Sequence, residues 1–149
     1  MDVYRMAGHL IRRLHQHSTQ AFSTRMQALG LDLTPVQFAA MSAIAATPGI
    51  DQARVAAEIG YDRATIGGVI DRLEHKGTIA RTVSRLDRRA REVRLTEKGE
   101  ALLEATRPVV IALQAEILAG LSETERAIFL DLAGKAIGLT VDQSPASAT

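Results

Sequence analysis

The chain has 149 residues, 46% hydrophobic but only 3% aromatic, with a formal net charge of +1 and no cysteine. That length suffices for one domain with a substantial core, the shortage of aromatics points to packed helices rather than a sheet sandwich, and the missing thiols exclude disulfides, thiolate metal sites and cysteine redox sensing. No apolar run approaches the roughly 20 residues of a bilayer span, and the stretch from Met1 to Arg13 meets charge too early for a secretory leader, so a soluble cytoplasmic protein without membrane contact is expected.

Residues 3–29 carry helical spacing: Val3, Met6, Leu10, Leu14 and Ala21 share one face, Ile11 and Phe22 flank it, and Gly30 supplies a stop. Thr34-Pro35-Val36-Gln37 combines an N-cap, a proline at the first helical position and a capping box. The helix it opens carries Phe38, Met41, Ile44 and Ala45 and ends at Thr47-Pro48-Gly49. Asp51 caps a short helix from Gln52 to Ile59, stopped by Gly60; Asp62 caps another from Arg63 to Lys76, stopped by Gly77. Two short capped helices around a tight glycine turn form a candidate helix-turn-helix. Past Gly77 the period falls to two, so Ile79–Val83 and Arg91–Leu95 predict a hairpin around a polar basic turn. Thr96 then caps a long helix to about Ala119, with a bend expected near Pro108, which lacks a backbone donor. Ser122-Glu123-Thr124-Glu125 is a second capping box, opening a last helix to about Ile137, and the small polar tail over 141–149 is expected to be disordered. The expected fold is mainly α with a small two-stranded β-hairpin: a winged helix-turn-helix lobe over 31–99 between helical segments at 1–30 and 100–140, all one structural unit.

Charge is concentrated in the hairpin. Arg81, Arg85, Arg88, Arg89, Arg91 and Arg94 face only Asp87 and Glu92, an electrostatic footprint inside a nearly neutral chain. In the preceding helix Ile66, Val69, Ile70 and Leu73 form a core face, opposite Ala64, Gly68, Asp71 and His75, with Gly67 and Arg72 flanking. Alone this is an ordinary amphipathic surface helix. Two adjacent glycines, however, cost about 1 kcal/mol each against alanine, which suits a backbone that must approach a partner such as a major groove. Arg63 and Arg72 have the reach for phosphates or a guanine edge, and Thr65 for a phosphate or a thymine methyl. A ribbon tipped by Arg85, Arg88 and Arg89 suits the narrow minor groove, with Ser84, Asp87 and Arg91 also expected among its DNA contacts and Asp87 expected to brace the turn by pairing with a guanidinium.

Three stretches resemble the MarR family of winged helix-turn-helix regulators: Ala56-Ala57-Glu58-Ile59-Gly60, Asp62-Arg63-Ala64-Thr65, and Ile70-Asp71-Arg72-Leu73-Glu74-His75-Lys76-Gly77. So does the wing Ser84-Arg85-Leu86-Asp87-Arg88-Arg89-Ala90-Arg91, followed by Leu95-Thr96-Glu97-Lys98-Gly99. The resemblance runs over about residues 34–99. It implies a homodimer clamped by its first and last helices, bound to a pseudo-palindromic double-stranded operator with one reading head per half-site. It also implies that Arg89, or else Arg88, enters the minor groove. Many relatives carry a polar pair where this chain has Gly67-Gly68, so readout is expected to lean on Arg63, Thr65, Arg72 and the wing. A finer likeness, in His9 to Gln16, Thr34 to Phe38, Pro48 to Gln52 and Tyr61 to Glu74, is to the branch that represses aromatic or nicotinate catabolism.

His9, Arg13 and His17 recur every fourth residue and form one strip bordering the apolar face. Two readings stay open. Either these side chains satisfy one another along a dimer seam, or they make a cationic pocket for a small aromatic carboxylate or phenol, with Phe38 and Met41 as apolar wall and Arg13 as the planar fork. Family members commonly bind phenolic or aromatic acids between the dimer helices and the DNA lobe, which the resemblance adds to the second reading. No metal-ligand spacing accompanies the histidines, and no cofactor is expected. An enzyme lacks every support: no phosphate loop, no nucleophile with a placed base, no paired carboxylates. The remaining alternative is a helical protein-interaction module that has lost specific DNA binding, hinted at by Gly67-Gly68 alone.

Overall fold

A computed structural model of the chain describes residues 2–139; the tail expected to be disordered lies outside them. Side-chain caps set the boundaries of most elements. The Asp2 carboxylate accepts the Tyr4 N–H at 3.0 Å and closes a single 3-10 turn over Val3–Arg5. Met6 returns to extended backbone before α1 runs from Ala7 to Ala28. The single helix expected from Val3 is therefore broken: the Asp2 cap tightens a local turn that the following residues do not continue.

Helix α2 spans Pro35–Ala46, with the Thr34 hydroxyl accepting the Gln37 N–H and the Gln37 carbonyl oxygen accepting the Thr34 N–H, each at 3.2 Å. A two-residue strand β1, Ile50–Asp51, precedes α3, Gln52–Ile59, and the Asp51 carboxylate caps α3 through the Arg54 N–H at 2.9 Å. Gly60 ends α3 in the left-handed region, φ 74°. Helix α4, Arg63–His75, leads into β2, Ile79–Val83, and β3, Arg91–Leu95. Strand β3 is central, antiparallel to β2 from Ile79 opposite Leu95 to Val83 opposite Arg91, and to β1 with Ile50 opposite Val93. The sheet thus has three strands, not the expected two. Helix α5, Glu97–Ile117, is continuous across Pro108, and α6 spans Glu123–Ala136 behind the Ser122–Glu125 capping box.

The core lies in the lobe. Met41 and Ile44 of α2, Val55 of α3, Ile66, Ile70 and Leu73 of α4 and Val93 of β3 are fully enclosed, joined by Phe22 and Met26 of α1 and Leu103 and Leu113 of α5. Helix α6 buries none of its residues. Close approach is sharpest at Gly99, where a Cβ would stand 2.0 Å from the Thr78 carbonyl oxygen, so only glycine lets α5 start against the base of the wing.

Candidate nucleic-acid interface

The face of α4 away from the core is exposed at Arg63, Ala64, Thr65, Gly68, Asp71, Arg72 and His75. Its first turn is held by Asp62, whose carboxylate accepts the Thr65 N–H at 2.8 Å and the Thr65 hydroxyl at 2.7 Å. Those two bonds hold the Asp62 carboxyl below its ordinary range. Thr65 spends its hydroxyl proton on the cap, and the residue is exposed. Gly67 is half-buried beside Gln52, whereas a Cβ on Gly68 would meet nothing within 4 Å. Among the described residues nothing demands glycine at 68; the small surface there is open to whatever approaches from outside.

The wing is organised by backbone bonds. Ser84 is 7% exposed, and its hydroxyl oxygen accepts the N–H groups of Leu86 and Asp87 at 3.2 and 3.3 Å. Its own N–H donates to the Ala90 carbonyl at 3.1 Å. Ser84, expected among the DNA-contacting residues, is therefore placed beneath the turn as an internal brace. Asp87 accepts the Arg89 N–H at 2.9 Å and, among the described residues, makes no ion pair. The expected guanidinium pairing is corrected: Asp87 shapes the turn through the backbone of Arg89 and leaves the arginine heads unspent. Arg85, Arg88, Arg89 and Arg91 are all exposed and, among the described residues, form no ion pair.

The other two arginines of the block turn back on the protein. Arg94 folds across Gly49, where a Cβ would lie 2.7 Å from Nη2. Arg81 reaches Asp71 and Glu74 of α4 and Gln52 of α3, which lowers the Glu74 carboxyl and raises the Arg81 guanidinium relative to their ordinary ranges, each chiefly through their shared hydrogen bonds. Helical phase puts Asp71 on the solvated face of α4 and does not by itself reveal this cluster. The signal was present: on a strand of period two, Arg81 shares its face with the buried Ile79.

At the wing's root, the Thr96 hydroxyl donates to the Gly77 carbonyl at 2.6 Å and accepts the Gly99 N–H at 3.2 Å, while Lys98 Nζ donates to the Lys76 carbonyl at 2.8 Å. The Leu-Thr-Glu-Lys-Gly segment thereby ties the end of α4, the base of the hairpin and the start of α5 together.

The expected effector residues are not gathered at one site within the described chain. His9 stacks edge-on against Tyr4 with ring centroids 5.5 Å apart, and Arg13 is exposed. His17 borders a cleft of about 380 Å³ between α1 and α5, spanned by the Arg25–Glu116 ion pair. Phe38 packs at a tilt on Phe22, 6.3 Å between centroids, and Met41 is 0% exposed, a core residue rather than a cavity wall. A larger cleft of about 570 Å³ separates α1, α5 and α6 and takes in Leu14, His15, Phe129 and Arg126. Arg126 Nε is buried with no hydrogen-bond partner among the described residues. Among the described residues no group of three or more His, Asp or Glu is gathered for a metal, and no helix is long and apolar enough to cross a membrane.

The sequence model of the MarR family matches residues 31–90, which hold α2, α3, α4 and the wing turn. The transcriptional regulator HosA of Escherichia coli is 33% identical over 135 residues, 91% of this chain and 97% of HosA. Among solved structures, Bordetella bronchiseptica BpsR, whose DNA binding is regulated by 6-hydroxynicotinic acid, superposes with a TM-score of 0.85 at 28% identity, covering 93% of this chain and 97% of that one. The transcriptional repressor CouR, bound to a 23-mer DNA duplex, superposes with a TM-score of 0.81 at 26% identity, covering 91% and 94%. With a braced, arginine-tipped wing beside a capped reading helix, and with these relatives spanning nearly its whole length, the chain belongs to the MarR family of DNA-binding transcriptional regulators.

Proposed function

We propose that the chain is a cytoplasmic, homodimeric repressor that leaves a pseudo-palindromic operator when a small aromatic acid binds. The observation that carries this reading is the set of four exposed arginines, free of ion pairs among the described residues, on a wing pinned beside α4. In the bound state α4 lies in the major groove with Arg63, Ala64, Thr65, Gly67, Gly68 and Arg72, and the wing follows the backbone into the minor groove with Arg85, Arg88, Arg89 and Arg91. Residues 31–99 are the reading lobe, while 1–30 and 100–140 supply the dimer contacts. Support for the second copy comes from the apolar side chains left uncovered there, among them Leu10, Ile11, Ile111, Ile128 and Leu132. Two reading heads must then match half-sites about 34–36 Å apart.

The effector shifts this dimer only through its differential affinity for a conformation with mismatched heads. BpsR and its 6-hydroxynicotinic acid support the ligand class. His9, Arg13, His17 and Phe38 are the residues proposed to meet the carboxylate and ring.

The test is a gel shift on a duplex selected from a random library, repeated across a salt series and with 6-hydroxynicotinic acid. Binding should weaken steeply with salt. Arg89→Ala should lose about 10- to 100-fold in affinity while the protein stays folded. Arg13→Ala should still bind the duplex but no longer release it to the acid. Failure to select and shift any duplex would instead favour the interaction-module alternative, and loss of DNA binding in Arg13→Ala would make that residue structural.

A further inference from the structure

Between the reading helix and the wing sits a cluster that no DNA contact requires. Arg81 is directed at α4, and its side chain is only 22% exposed. Its guanidinium uses all three nitrogens. Nη2 donates to Asp71 Oδ1 at 2.5 Å and to Glu74 Oε1 at 3.1 Å, Nε to Glu74 Oε2 at 3.3 Å, and Nη1 to Gln52 Oε1 at 3.2 Å. The Glu74 contact is a two-point fork, which fixes direction as well as distance. Its partners stand on two different helices, α3 and α4, so one side chain joins both helices of the helix-turn-helix to the hairpin.

The hairpin needs such an anchor. Backbone and Thr96 bonds hold its root at Gly77 and Thr78. Beyond Arg81, Thr82 and Val83 of the same strand pair with Glu92 and Arg91 of β3 but are exposed, so they add little burial to the ribbon. From Gly77 to the turn at Ser84 the chain extends roughly 23 Å at about 3.3 Å per residue, so a ten-degree swing at the root would move the arginine tip by about 4 Å. That is larger than any hydrogen bond. A second consequence is electrostatic: Asp71, 65% exposed on the reading helix, and Glu74 would confront DNA phosphates unless a cation offsets them.

We infer that Arg81 is a positioning residue for DNA binding: through Asp71, Glu74 and Gln52 it fixes the angle between reading helix and wing, and it touches no DNA itself. The inference rests on the assignment of α4 and the wing to the two grooves. Its test separates the two ideas, using the full chain and a duplex that the wild-type protein selects from a random library. Failure of the wild type to select any duplex would overturn the groove assignment, and this inference with it. Given a selected duplex, Arg81→Met should bind about 10- to 100-fold more weakly. Hydroxyl-radical footprints should lose the wing's minor-groove protection while methylation protection in the major groove persists. Because the wing arginines leave the DNA together with the mispositioned wing, the slope of log affinity against log salt should fall in Arg81→Met by at least the roughly one charge that Arg89→Ala removes. Arg81→Lys, which keeps the charge but not the fork, should fall between. Wild-type affinity in Arg81→Met, an evenly faded footprint, or an unchanged salt slope would overturn the inference. So would full recovery when Asp71→Asn and Glu74→Gln are added to Arg81→Met, since charge offset alone would then explain the loss. Should Arg81→Met fail to fold, Arg81→Lys and Glu74→Gln carry the same footprint comparison, and an unaltered footprint in both would overturn it.

Discussion

The lobe around α4 and the two ends of the chain use the same kinds of helix and solve burial in opposite ways. In the lobe, Ile66, Ile70 and Leu73 are all 0% exposed, and the wing is tied down by Arg81, Thr96 and Gly99. At the ends, Ile11 is 65% exposed, Ile128 53% and Leu132 60%. In the proposed homodimer, apolar exposure of that kind, concentrated on the first and last helices, is surface for the second copy rather than a deficiency of the fold. A reading head must be rigid within one chain, because it is used as a unit. If the proposed dimer forms through them, the ends gain by staying open, because the spacing of two heads is then set where two chains meet.

The most direct way to break this contrast is to charge the open face. The double variant Ile128→Asp/Leu132→Asp removes two apolar side chains one helical turn apart without touching anything the protomer buries. Sedimentation equilibrium should find a monomer with unchanged helix content, and affinity for a two-half-site duplex should fall about 100- to 10,000-fold as the second head is lost. A variant that remains dimeric with wild-type affinity would remove α6 from the interface.

The next largest effect belongs to the closed region. Gly99→Ala places a methyl 2.0 Å from the Thr78 carbonyl oxygen, which is backbone and has nowhere to retreat. Overpacking of this kind costs about 1–3 kcal/mol, so a thermal scan should show Tm lowered by roughly 2–12 °C at 2–4 °C per kcal/mol. An alanine there that melts with wild type would mean α5 can shift at its start, and the wing root with it.

How much of this was legible beforehand divides along physical lines. Thr34, Asp51, Asp62, Thr96 and Ser122 announced their helices because capping is a local bond between a side chain and an N–H two or three residues on. Strand β1 was not legible. It is two residues long, too short to show a period, and exists because Val93 lies opposite Ile50. Asp87 was recognised as a brace, but composition does not say whether a carboxylate beside arginines chooses a guanidinium or a backbone N–H; the turn geometry made it the latter. The five candidate effector residues illustrate the remaining limit. Met41 has helical phase compatible with either a cavity wall or a core, and only the packing of α4 and the sheet against α2 decided for the core.

The smallest effect sharpens the comparison most. Asp62 caps the reading helix and Glu125 completes the cap of α6, and both carboxyls are held below their ordinary ranges by hydrogen bonds, Asp62 from Thr65 and Glu125 from Ser122. A carboxyl whose value is lowered by folding stabilises the folded state above its unfolded value, and that contribution disappears as pH falls through the folded value. Acidification from about pH 5 toward pH 3 should therefore loosen the first turns of α4 and α6 alike, and both groups should titrate later than free side chains when followed by carboxyl NMR. Both caps are solvent-exposed, so the loss is small and shrinks further with salt. Equal fraying at the two sites would mean that local helix signals are matched in the two regions and that burial alone separates them. If α6 loosens well before α4, its helix depends on covering by a second chain even for its first turn, and the open end is less preformed than its capping box implies.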